Sequence, residues 1–205
     1  MIDGCINLPI RDNLTRLINN KIVRLPLYDK YHTMFIKLNK PIHVPKYDIK
    51  RQGMSYGNRI SYAVVSTPLN DIFSLVPERY RKDFILVTMK ISGNIPPHTD
   101  SEILSTINIY LTPDNCKTTF YEIKTDTPKT SQLANQTNGK LFYLESLKVI
   151  GEFIAEKDEV WLLDVSIPHS VTSTKFSINR IAVCLQSTKH DFIKVKEMLV
   201  ETNNI

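Results

Sequence analysis

Cysteine is scarce in this chain: Cys5, Cys116 and Cys184 are the three in 205 residues, odd in number and far apart. Disulfide frameworks and zinc ribbons, which need paired cysteines at short spacing, are excluded. Reduced thiols are expected, with Cys184 in an apolar strand. No apolar run approaches the eighteen or so residues of a membrane helix, and the first five residues carry neither a basic nor an apolar leader. The expectation is a cytoplasmic protein with no membrane partner. Glycine is low at six and the eleven prolines are dispersed, so collagen-like and low-complexity architectures are excluded. Repeats at a period of 20 to 50 residues are also lacking.

What is present is a globular balance, 42% hydrophobic with 23% charged residues. At this length a single domain is expected. The net charge of +5 is uneven: residues 1–60 hold eleven Lys/Arg against four Asp/Glu, leaving a slight acidic excess for the remainder. The basic third is compatible with an anionic partner such as nucleic acid or a nucleotide. Because no Lys/Arg run exceeds two residues, a solvated lysine face is the alternative.

Helical periodicity is confined to residues 12–19, 69–82 and 190–201, the second broken by Pro77. His190-Asp191 reads as the start of the last helix. From residue 83 to 188 the chain reads as eight β segments: 84–91, 104–111, 118–124, 141–147, 151–156, 159–165, 169–174 and 179–187. The polar stretch 125–140 reads as one long loop. The aromatic and basic stretch Tyr47 to Tyr62 reads as a surface loop, with a substrate entrance as the alternative. The fold class is mainly β with flanking helices, an antiparallel sandwich or jelly roll.

Chemistry concentrates in IPPHTD and IPHSV. His98 and Asp100, two apart on an extended chain, point to the same side and can converge on one ion, with His169 as a third ligand from a distant strand. Two imidazoles and a carboxylate on one face leave coordination positions open, which suits Fe(II) that must also bind a cosubstrate and O2. Eleven residues beyond His169, Arg180 opens an apolar strand, where its charge demands a partner; its planar fork suits a carboxylate. The alternatives are an exposed Pro-Pro turn for His98 and Asp100, a core histidine for His169, and Asp164 as a rival carboxylate. Trp161 reads as a core residue, and His32, His43 and His190 show no ligand spacing.

His98-Thr99-Asp100, His169 and Arg180, in that order within an eight-segment β region, resemble the Fe(II)/2-oxoglutarate-dependent dioxygenases. The likeness covers residues 83–188. IPPHTD followed by INIYL, TTFY and IPHSV is also similar to short oxygenases of bacteriophage and bacterial genomes, for which the compartment would be the host cytoplasm. The resemblance implies a double-stranded β-helix, a jelly-roll or cupin-like barrel, over 83–188. Residues 1–82 would be an α/β extension covering it, and 189–205 a C-terminal helix. It implies Fe(II) held by His98, Asp100 and His169, with Arg180 gripping the distal carboxylate of 2-oxoglutarate. The implied reaction consumes 2-oxoglutarate and O2, releases succinate and CO2, and hydroxylates or demethylates a substrate C–H site.

A serine two residues after the arginine, present in one branch of that superfamily, is Ala182 here, so the second contact to the distal carboxylate must come from elsewhere. Asn108 and Tyr110, on one side of their strand, are the candidates for the remaining cosubstrate contacts; Tyr110 as a core tyrosine is the alternative. Two other classes stay open: a cupin-like metalloenzyme without 2-oxoglutarate, which has no use for Arg180, and a non-catalytic β-sandwich binding or structural module. The substrate is not legible, with nucleic acid, nucleotide and protein side chain all admissible.

Overall fold

Alternation of inward and outward side chains builds two antiparallel sheets. The computed structural model describes residues 34–44, 55–56, 59–65, 70–124, 126, 128–132, 139–175 and 177–205, all within the unit Thr33–Ile205. The larger sheet runs in the order β1 (Phe35–Lys37), β11 (Val160–Leu163), β6 (Ser105–Thr112), β13 (Arg180–Ser187), β4 (Phe84–Ile91), β3 (Ile60–Val64), β2 (Ser55–Tyr56). The smaller runs β10 (Leu147–Ile154), β7 (Lys117–Ile123), β12 (His169–Thr172), β5 (Ile95–His98), β9 (Lys140–Phe142), β8 (Thr130–Gln132). Along the chain, β4, β6, β11 and β13 join one sheet while β5, β7, β10 and β12 join the other. That alternation is the double-stranded β-helix, or jelly roll.

The central strands are buried on both faces. On β6 and β13, Ile107, Ile109, Val183 and Leu185 face outward into a core completed by the C-terminal helix α2 (Phe192–Glu201) through Phe192, Val195, Met198 and Leu199. Tyr110, Ala182 and Cys184 face the other sheet and pack with Phe120, Phe153 and Val165. Phe153 stacks on the partly buried Trp161 at 4.1 Å. The Asp191 side chain caps α2 by accepting from Lys194 N at 2.8 Å, as the sequence anticipated.

Several local expectations need correction. The helix expected over 69–82 is one turn, α1 (Asn70–Phe73), and a 3-10 segment Glu78–Asp83. Pro77 lies between them, and its missing N–H prevents one continuous ladder. Segment 141–147 is not one strand: β9 ends at Phe142 and a 3-10 turn Leu144–Ser146 leads into β10, which runs on to Ile154 through a bulge. IPPH is a strand rather than a turn, because its prolines fall between the paired positions Ile95 and His98 and are not asked to donate. Part of the expected 125–140 loop, Thr130–Gln132, forms β8. The helix expected over 12–19, and Cys5 and His32, lie outside the described residues.

Candidate metal centre

His98 ends β5 and His169 begins β12, and the antiparallel pairing sets them directly opposite each other. Asp100 follows two residues on, its backbone N donating to Val165 O at 3.1 Å, while Thr99 is turned away and tied to Lys140 through both its N and its hydroxyl. One Asp100 oxygen lies 3.3 Å from His98 Nε2 and 3.7 Å from His169 Nε2. One ligand atom from each of the three residues falls within 4.8 Å of the others. Both imidazoles are fixed from behind: His98 Nδ1 bonds Pro96 O at 2.9 Å and His169 Nδ1 bonds Ile167 O at 3.0 Å. With each Nδ1 engaged by a backbone carbonyl, the Nε2 atoms are the ones aimed at Asp100, the orientation in which a buried histidine can serve a metal.

Electrostatics agree. Burial, reinforced by the neighbouring His98, pushes the His169 pKa down to about 4, so this ring is neutral at pH 7. Burial opposes ionisation of Asp100, but its bond to His98 and the two neighbouring imidazoles outweigh it and hold the carboxyl below its usual value. Burial likewise disfavours charge on His98, and the Asp100 bond more than compensates, raising it.

The three residues share a cavity with Arg180, whose empty space, open mouth included, is about 460 Å3. Arg180 is 2% exposed and has no acidic partner among the described residues. Its Nη2 donates to the Tyr110 hydroxyl at 2.7 Å and to Thr118 Oγ1 at 3.0 Å, and the guanidinium sits 4.7 Å over the Tyr110 ring. Nη1 is buried with no partner among the described residues. Both hydroxyls accept from Nη2, so both keep a proton to donate.

Asn108 lines the cavity, and its Oδ1 accepts from Thr106 Oγ1 at 2.8 Å. Tyr110 is fully buried, accepts from Arg180 and does not itself line the cavity. The Asp164 carboxylate accepts from the N and Oγ of Ser166 and stands outside the three-residue cluster. The stretch through Tyr62 is not all surface loop: Ile60 and Tyr62, on β3, line the cavity. His190 bonds Asp83 at 3.1 Å and His43 bonds Asp158 at 3.3 Å, both away from the cluster.

Sequence reasoning missed Thr118 and Gln186, both cavity residues. Thr118 was legible in one respect: it alternates with Phe120, the register partner of His169, and so shares the inward face.

No protein-family model matches the chain, and no curated protein matches it. Among solved structures it is similar to the hydroquinone 1,2-dioxygenase PnpCD in complex with Cd2+ and 4-hydroxybenzonitrile, at 15% identity and TM-score 0.34, covering 60% of this chain and 61% of that one. It is also similar to vicilin from Corylus avellana (hazelnut), at 10% identity and TM-score 0.38, covering 69% of this chain and 32% of that one. For E. coli ycfD the identity is 10% and the TM-score 0.39, covering 67% of this chain and 36% of that one. The matches thus span less than two thirds of each of those chains, and likeness at this level carries no activity across. Among the described residues, no helix is long and apolar enough to cross a membrane.

Proposed function

We propose that the chain is an Fe(II)- and 2-oxoglutarate-dependent oxygenase that hydroxylates, or demethylates, its substrate. The observation that carries this reading is the buried Nη1 of Arg180, unpartnered among the described residues, on a residue that lines the same cavity as the His98–Asp100–His169 cluster. A buried cation without a counter-charge is costly, and a carboxylate ligand relieves that cost.

His98, Asp100 and His169 would hold Fe(II), a donor set of two imidazoles and one carboxylate suited to that ion with positions left for further ligands. When bound, iron with 2-oxoglutarate and O2 supplies oxidation of a C–H bond, with succinate and CO2 released. Arg180 would take the distal carboxylate, held in place by Tyr110, and the Thr118 hydroxyl proton would supply the second contact that Ala182 cannot. Asn108, one rung further along β6, would serve the rest of the keto acid. Around Arg180 the walls are apolar, with Ile91, Ile95 and Val171, which keeps water from competing for the anion.

Anaerobic addition of Fe(II) and 2-oxoglutarate should produce a weak visible charge-transfer band, lost in His98→Ala and Asp100→Ala. Arg180→Ala should weaken 2-oxoglutarate binding by about thirtyfold or more and leave iron binding intact. Iron binding with no response to saturating 2-oxoglutarate would place the chain with cupin-like metalloenzymes instead. Absence of any stoichiometric metal would place it with binding modules. Substrate-stimulated succinate release, screened over nucleic acids, nucleotides, peptides and amino acids, identifies the acceptor.

A further inference from the structure

Aromatic rings run in unbroken contact from the metal cluster to Phe35 of β1. The His98 and His169 rings lie 4.4 Å apart, centroid to centroid, and Phe120 stacks on His169 at 5.7 Å with the planes 29° apart. Phe35 packs on Phe120 at 5.4 Å and on Phe153 at 5.0 Å. Register explains the stack: Phe120 on β7 is the cross-strand partner of His169 on β12, so the two side chains share the inward face. On its other flank Phe120 faces Gly151 of β10, which offers no side chain, and the ring that lies on Phe120 instead is Phe35, from the larger sheet.

A histidine ring turns about two torsions, and the second, an sp3–sp2 bond, has no sharp preference of its own. The Nδ1 bond to Ile167 O pins one ring atom of His169 and leaves the plane able to pivot about that bond. Where Nε2 points is then decided by what lies against the ring. Among the described residues the ring contacts of His169 are Phe120 and His98, and His98 belongs to the cluster itself. Phe120 is thus the ring contact that the scaffold supplies. It is 0% exposed and held against Phe35, and a close-packed ring has no room to swing aside. His98 packs on His169 in turn, so orientation passes from Phe35 through Phe120 to both imidazoles. A core phenylalanine serves a fold by its volume, whereas a brace serves by its flat face. Leucine separates the two, since it keeps apolar bulk and loses the plane.

We propose that Phe120, backed by Phe35, is the positioning residue of the metal centre, fixing the plane of His169 so that its Nε2 is aimed at the ion. With the plane set in the folded chain, less ordering is left to be done when the ion binds. The inference rests on the metal-binding part of the oxygenase reading and is independent of 2-oxoglutarate.

The test uses the full chain with Co(II), an air-stable probe whose visible bands report its coordination. Phe120→Leu should weaken Co(II) binding about fivefold, the scale of one aromatic pair, and shift the visible bands. Phe192→Leu, in the core on the other face of the larger sheet, is the control for lost stability and should change neither. Phe35 is only partly buried, so its exchange serves where Phe120→Leu folds poorly. Phe35→Leu should weaken Co(II) about twofold, and Phe35→Tyr, which restores the ring, should bind as the parent does. In the metal-free chain labelled with 13C at histidine, the ring resonance of His169, assigned by its loss in His169→Gln, should shift and broaden in Phe120→Leu. Co(II) affinity unmoved by both leucine variants, or weakened equally by Phe192→Leu, overturns the proposal. So does a His169 resonance that Phe120→Leu leaves unchanged. A parent chain that takes up no Co(II) overturns the metal reading and the proposal with it; failure of the proposal alone is told apart by a parent that binds and a Phe120→Leu that binds equally.

Discussion

Arg180 brings a full charge into a cavity wall and spends only one of its two terminal nitrogens on the protein. A structural tie and a ligand anchor make opposite predictions for its removal. If the guanidinium waits for an anion, the ligand-free fold bears its desolvation, and Arg180→Met should leave unfolding free energy within about 1 kcal/mol of the parent or raise it. The same variant should lose all thermal stabilisation by 2-oxoglutarate, which in the parent grows with ligand concentration. Thermal melts with and without the keto acid check both halves. A loss above about 3 kcal/mol without ligand would mark Arg180 as a tie. Thr118→Val keeps the shape and removes the spare proton, so it should weaken 2-oxoglutarate about tenfold with little change in melting temperature.

Elements deliver these residues, and the turns around them are where acid should act first. β6 and β7 are joined through Pro113–Cys116, with Asp114 and Asn115 both at positive φ, a tight turn that carries the chain from the larger sheet to the smaller. The Asp114 carboxylate pairs with Lys175 and accepts from Asn179 N at 2.7 Å, fixing the segment that leads into Arg180. The Lys175 and Asn179 bonds hold its pKa below the usual carboxylate value. A depressed folded-state pKa contributes stability above the unfolded value, about 4, and that contribution fades as pH falls below it. Asp114→Ala should therefore lower the melting temperature at pH 7 and shrink its further drop between about pH 4 and pH 2; an unchanged acid profile would remove Asp114 from the account.

On the outer face of the same sheet, Leu199→Ala in α2 should cost about 2–5 kcal/mol by leaving a cavity, with metal and 2-oxoglutarate affinities unchanged, since the site lies on the other face.

The sequence was most legible where one rule governed an element. FILVTMKI and NRIAVCLQS are apolar, free of proline and glycine, and became β4 and β13 within a residue of the expected bounds. IPPH was opaque because proline's local signal is a turn, and only its partners β12 and β9 make it a strand. The spacing of His98, Asp100, His169 and Arg180 was readable because motif order survives without knowledge of the fold. Gln186 carried no signal, since one glutamine in an apolar strand is defined as a cavity residue only by what the opposite sheet leaves open.

At the scale of the whole molecule, closing the sandwich brings together two segments 71 residues apart in sequence, ending β5 and opening β12. The β5–β12 pairing is short, with two register pairs and an irregularity between them. Among the described residues, the smaller sheet continues beyond β5 only through the three-residue strands β9 and β8. A metal ion held by His98, Asp100 and His169 would staple that weak side to β12, and a ligand that binds only the folded state adds its binding free energy to stability. At a thousandfold excess over the dissociation constant this is about 4 kcal/mol, which for a domain of this size is on the order of 10 °C in melting temperature. Loading the chain with Fe(II) under anaerobic conditions should raise the melting temperature by that order and slow amide exchange selectively over β5 and β9. A chelator should reverse both, and His169→Ala should show neither. A metal-induced rise that survives His169→Ala would mean that the ion sits elsewhere and that the pairing of β5 with β12 is held by backbone bonds alone.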